Sequence, residues 1–232
     1  MENSFKSLKK TARLAGLLYL FWVITAIYGL MYVQPKTIVQ GDAGATANKI
    51  LANEFLFRTG IVNGLLSSII WILIGLTLYQ LFKQVNQSQA KLLLTLVIVQ
   101  IPVVFVMEAL NITTLMIFKG EILKTFELNQ RQDLAMLFLK INDYLTITVE
   151  MFWGLWLFPF GVLVYRSRFI PRILGVFLIL NGIAYVIHCL THLLLPNYQA
   201  IVFQIATPIW TVGEISIMLW LLIKGVKVNN KN

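Results

Sequence analysis

The chain has 232 residues, 58% of them hydrophobic and 12% charged, with a mean hydropathy of +0.78. A soluble core of this size does not need so much apolar surface, so the composition points to a polytopic membrane protein. The formal net charge of +9 sits in short basic segments between apolar runs, which is a topology signal and sets nucleic-acid binding aside.

A basic head with Lys6, Lys9, Lys10 and Arg13 precedes a first apolar run over 12–33. That run exceeds the usual secretory signal core of about 7–15 residues, so it reads as a retained helix that starts in the cytoplasm. Residues 34–60 are polar and then amphipathic. Asp42 is placed to N-cap a helix there, with Ile50, Leu51, Phe55 and Leu56 expected along one face on the outer surface. The second span is 61–82. The third is about 92–118, with Pro102 a predicted kink. A charged outer segment, 119–133, leads to a fourth apolar stretch that spans at 143–165 and is long enough to project beyond the membrane. The loop RSRFIPR turns into a fifth span, 171–195, with Pro171 suited to its first turn. The sixth is 200–223. The predicted fold is a single all-α membrane bundle of six transmembrane helices, covering 1–232.

Six spans put both termini on one side. That side holds Lys6, Lys9, Lys10, Arg13, Lys83, Lys91, Arg166, Arg168, Arg172, Lys224, Lys227 and Lys231 against Glu2 alone. The other mixes Lys36, Lys49, Arg58, Lys119, Lys124, Arg131 and Lys140 with Asp42, Glu54, Glu121, Glu127, Asp133 and Asp143. Excess Lys and Arg mark the cytoplasmic face, so both termini are expected in the cytoplasm.

The remaining carboxylates, Glu108, Glu150 and Glu214, lie inside spans. At 1.5 Å per helical residue, Glu108 stands about 25 Å above Lys91, Glu150 about 24 Å above Arg166 and His188 about 24 Å above Arg172. Glu214 is about 15 Å above Lys224, and His192 about 30 Å above Arg172, at the outer boundary. Glu108, Glu150 and His188 are therefore expected in one polar layer. Each belongs to a polar helix face: Gln100, Glu108 and Asn111; Asp143, Thr146 and Glu150; Gln204, Thr207, Thr211 and Glu214; Asn63 and Ser67; Asn181, Tyr185, His188 and His192. These faces are expected to turn inward, because unsatisfied polar groups facing lipid cost several kcal/mol each. Cys189 is adjacent to His188, points elsewhere and, as the lone cysteine, forms no intramolecular disulfide.

Three readings of this layer stay open. His188 and His192 at i,i+4 with one or two carboxylates make a zinc ligand set, although HCLTH lacks the glutamate of HExxH. A buried Glu–His set can instead pass protons or line a solute path. Cross-helix polar bonds can also do no more than fix packing. The aromatics Phe152, Trp153, Trp156, Phe158 and Phe160 read as packing and interface anchors.

Four segments, ARLAGLLYL (12–20), IVQGDAGATANKILANEFLFRTGIV (38–62), FWGLWLFPFGVLVYRSRFIPRILGV (152–176) and GEISIMLWLLIKGVK (213–227), resemble the DUF4386 family of bacterial membrane proteins. The resemblance implies a multi-pass protein of a bacterial cell membrane and no particular activity. It draws attention to Asp42, Glu54, Arg58 and Glu214 rather than to the histidines. The partners expected are the lipid bilayer and a small-molecule or ion ligand, and the functions expected are solute or proton binding, metal-dependent catalysis, or a non-catalytic partner or sensor role.

Overall fold

The computed structural model describes residues 2–227, with side chains from residue 6 onward. Lys231 of the basic set lies outside these residues, as does the side chain of Glu2. Among the described residues every regular element is helical. Six segments are long and apolar enough to cross a membrane: Lys6–Thr37, Glu54–Phe82, Gln87–Lys119, Leu128–Ser167, Arg172–Leu194 and Pro196–Lys224. The fold is all-α and multi-pass.

The first segment is α1 (Glu2–Ile27), a π-helical stretch at Tyr28–Val33 and the short α2 (Gln34–Thr37). Then α3 (Ala43–Ala52) starts where the Asp42 side chain accepts the Ala45 N–H at 2.8 Å, and α4 is Glu54–Phe82. The third segment is split into α5 (Gln87–Ile98) and α6 (Ile101–Lys119). Pro102 is the second residue of α6, where its missing N–H costs no helical bond, so the expected kink becomes a restart. α7 (Leu128–Ser167) has 40 residues and extends about 60 Å, twice the hydrocarbon thickness. Pro171 directly precedes α8 (Arg172–Leu194) with φ −57°, and a 3₁₀ turn at Pro196–Tyr198 leads into α9 (Gln199–Leu219), which ends in a π turn at Trp220–Lys224.

The chain forms two compact units. The first comprises residues 2–21, 70–100 and 147–227, the second Trp22–Ile69 and Ile101–Thr146. In the first, α7 and α8 approach at backbone contact through two glycine pairs. A Cβ on Gly161 would stand 2.7 Å from the Gly175 carbonyl oxygen, and one on Gly154 would stand 2.7 Å from that of Gly182. Each pair is seven residues from the other on its own helix, so both fall on one face. Around this seam Tyr19, Phe82, Trp156, Leu157 and Phe160 are fully buried. Trp156 meets Trp71 edge-on at 4.8 Å and stacks on Phe160 at 5.3 Å, the packing role expected of these aromatics.

The second unit closes on a core of Ala47, Ile50, Phe57, Ile61, Leu115, Phe118 and Leu139 among others, drawn from α3, α4, α6 and α7. The apolar face expected for α3 changes here. Ile50 is fully buried, but Leu51 is 41% and Phe55 82% exposed. For Phe55 the reason is the break at Asn53 (φ −122°, ψ 37°), which puts it in α4 and out of helical register with Ile50; Leu51, next to Ile50 in α3, is turned about 100° from it on the same helix.

The glycine seam sets a test. Gly161→Leu should lower the unfolding free energy of the detergent-solubilised protein by about 1–3 kcal/mol through overpacking. Gly29→Ala, where the added Cβ meets only Asn63 Nδ2 at an ordinary 3.5 Å, should stay within about 0.5 kcal/mol of the parent. Equal losses in chemical unfolding would contradict close packing at the seam.

Candidate functional site

In the first unit α8 presents Asn181, Tyr185 and His188 on one face, and each meets a different partner. His188 Nδ1 lies 2.7 Å from Glu150 Oε2 of α7, with the two residues 3% and 5% exposed. Its other nitrogen, Nε2, is buried and has no protein partner. The ring sits edge-on to Trp210 at 5.4 Å and beside Phe203 at 5.6 Å. Trp210 stacks flat on Tyr185, with ring centres 4.4 Å apart. Tyr185 donates to Glu214 Oε1 at 2.9 Å and Tyr19 donates to Oε2 at 2.6 Å, so each oxygen of that carboxylate holds one phenol. Asn181 is fully buried and donates to the Trp210 carbonyl at 3.1 Å; glycine at 213 leaves it room, because a Cβ there would overlap its amide.

In the second unit the first segment is tied to α4 by Asn63, which donates to the Thr25 carbonyl at 3.0 Å, and by Ser67, which accepts from Thr25 Oγ1 at 3.2 Å. Asn111 donates to Glu108 Oε2 at 2.9 Å. Asn142 in turn donates to Asn111 Oδ1 at 2.8 Å and to the Met107 carbonyl at 3.2 Å. This chain of amides forms part of the wall of a cavity of about 720 Å³, whose lining also includes Gly29, Leu30 and Val33 of the π-helical stretch. Such stretches recur at functional sites because they displace side chains from the regular helical register. Gly64 is the seat of the Glu108 carboxyl: a Cβ at that position would overlap Oε1.

Glu150 and His188 are thus joined directly within the first unit, whereas Glu108 and Asn111 pair within the second. Three of the expected polar faces are altered, that of α7 because Asp143 is exposed rather than turned inward. Gln100 falls in the break between α5 and α6 and bonds the Leu96 carbonyl at 2.6 Å, so it does not continue the face of Glu108. On α9, Gln204 and Thr211 are exposed rather than turned inward. Thr207 and Thr211 give their hydroxyls to the carbonyls four residues back, Phe203 and Thr207, which satisfies them without a neighbouring helix.

The residues of the 34–60 segment have local partners. Asp42 caps α3. Glu54 pairs with Arg58 at 2.8 Å and with Lys119 at 3.3 Å, and Lys119 also reaches Glu121 at 2.8 Å. Zinc does not fit the histidine pair. His188 and His192 have ring centres 6.4 Å apart, and among the described residues no group of three or more His, Cys, Asp or Glu could hold a metal ion. Glu150, the carboxylate nearest His188, is taken up by Nδ1.

Tyr19, Gly64, Asn142, Asp133 and Lys140 went unremarked as site residues in the sequence. Asn142 carries a readable signal, since it adjoins Asp143 and precedes Thr146 by one helical turn. A mid-helix glycine such as Gly64 carries none until its neighbour is known.

The two phenol bonds to Glu214 are testable. Tyr19→Phe and Tyr185→Phe should each destabilise the protein by about 1–3 kcal/mol, the range for bonds to a charged or otherwise unsatisfied buried group. In double-mutant cycles with Glu214→Gln, each tyrosine should couple to Glu214. Strict additivity in both cycles would show that the bonds carry no energy.

A protein-family model described as "Domain of unknown function (DUF4386)" matches residues 14–225. No curated protein and no solved structure matches the chain.

Proposed function

This chain belongs to the DUF4386 family of domains of unknown function, and we propose that it is a multi-pass membrane protein that binds or passes a small solute at the polar interior of its spans. The observation that carries this reading is the cavity of about 720 Å³ with Glu108, Asn111 and Asn142 in its wall. Its volume falls in the range of small-molecule sites, about 300–1,000 Å³, and its lining mixes apolar walls with a few convergent polar groups. Ionisable side chains carried within membrane segments mark ligand and ion pathways. The excess of Lys and Arg flanking the spans supports cytoplasmic termini, and the cell membrane of a bacterium is the location in keeping with the family resemblance.

A second reading, proton exchange in the first unit, is favoured by the Glu150–His188 pair. An imidazole with one nitrogen on a carboxylate and the other unengaged can take a proton at one atom and release it at the other.

Thermal unfolding of the purified protein against a panel of small cations, anions, zwitterions and neutral polar solutes tests the solute reading. At least one class should raise Tm, since saturation at 100 times Kd contributes about 2.7 kcal/mol. Met136→Trp, which fills the cavity from its wall, should remove that rise while leaving the unliganded Tm within a few degrees. A panel with no stabilising member, or a rise that survives Met136→Trp, would refute a solute site in this cavity.

A further inference from the structure

The charge and shape of the cavity specify what it takes, and this inference rests on the solute reading above. Among the described residues its lining includes three carboxylates, Glu108, Asp133 and Asp143, and a single cationic side chain, Lys140. Lys140 acts electrostatically on Asp143, but its ammonium lies over the Tyr144 ring, 5.3 Å from the centroid, and among the described residues it forms an ion pair with none of the three. The same unit pairs Glu54 with two cations, Arg58 and Lys119, although Glu54 is a third exposed. Glu108 is more consequential to leave uncompensated. It is half-buried, Asn111 occupies Oε2, and among the described residues no donor reaches Oε1. Glu108 thus lines the cavity with one oxygen held by a neutral amide and the other packed against Gly64 without a hydrogen-bond donor, so a cation in the cavity would supply the charge partner that the protein does not.

The rest of the wall limits what kind. Phe57, Ile61, Met136 and Leu139 give the cavity an apolar side, and its volume is far larger than a bare ion requires. The carboxylates are also not grouped as a metal site. We propose that the cavity binds an amphipathic organic cation, an alkyl- or arylalkylammonium, with its charged nitrogen at Glu108 and its hydrocarbon against Phe57, Ile61 and Met136. Gly64 is then a positioning residue: the absence of a side chain at 64 is what lets the Glu108 carboxyl sit where it does.

The test compares three probes of one skeleton on the full-length protein in nonionic detergent, by calorimetry: 4-phenylbutylammonium, 4-phenylbutanol and 4-phenylbutyrate. The ammonium should bind at least tenfold more tightly than the alcohol, and the carboxylate more weakly than either. Glu108→Gln keeps the size of the side chain and an acceptor for Asn111, and should reduce ammonium binding to the level of the alcohol. The wild-type comparison decides the question by itself, so a poorly folded Glu108→Gln protein does not leave it open. Alcohol or carboxylate binding as tight as ammonium binding would overturn the cationic ligand while leaving a small-solute site in place, as would an ammonium preference unchanged by Glu108→Gln. No binding by any of the three would also overturn it, and the broader solute panel then determines whether the solute reading falls with it.

Discussion

A polar group carried into hydrocarbon must find its hydrogen-bond partner within the protein, and most of this molecule's internal detail answers that requirement. The solutions differ in kind. Thr207 and Thr211 turn back on their own helix and need no neighbour. Asn63 and Asn181 reach carbonyls of other helices, Thr25 and Trp210, and so fasten one span to another. Glu214 is held by two phenols from different helices, and Glu150 by an imidazole. Only the two carboxylates draw on polar side chains of other helices; the threonines and asparagines use backbone carbonyls. Glu108 and Glu150 each have one oxygen bonded and the other without a donor among the described residues, and of the two Glu108 is the one in the cavity wall.

The architecture was legible because it rests on length and hydropathy, which are local. Six long apolar runs, separated alternately by basic and mixed-charge segments, read directly as six membrane-length helices, and Asp42 before a helical pattern reads as a cap. Polar faces were less legible. Helical spacing says which residues share a side, but it does not say which side meets protein. On α9 the face continued through Gln204 and Thr211 into exposed positions, because a threonine that bonds its own backbone no longer has to be buried. At Gln100 and at Phe55 the reading failed for another reason: a helix break at 99–100 and another at Asn53 reset the register, and neither is marked by a strong breaker at the break itself.

The site was legible in its ionisable members and opaque in its supports. Glu108, Glu150, His188 and Glu214 stood out because charge is rare in apolar runs. Tyr19 and Tyr185 are ordinary residues for a membrane helix, and only their meeting at Glu214 gives them meaning. Gly64 and Gly213 contribute empty space, beneath a carboxylate in one case and beside an amide in the other. The i,i+4 histidines have a spacing that suits a metal, while the structure places Glu150 on one of them and, among the described residues, groups no third ligand with the pair.

The π-helical stretch at Tyr28–Val33 has a consequence for how this fold tolerates change. A π turn accommodates more residues per turn than an α turn, so the first segment takes up its surplus there without passing it on. Each residue of an α-helix rotates the chain by about 100°, so a one-residue deletion elsewhere in α1 would swing Tyr19 or Thr25 away from its partner. A deletion within 28–33 has another outlet, because the widened turn can relax to an α turn. Length variation in the first span is therefore best absorbed beside the cavity, where it would reshape the binding wall at Gly29, Leu30 and Val33 while the anchoring bonds of Tyr19 and Thr25 stay in register.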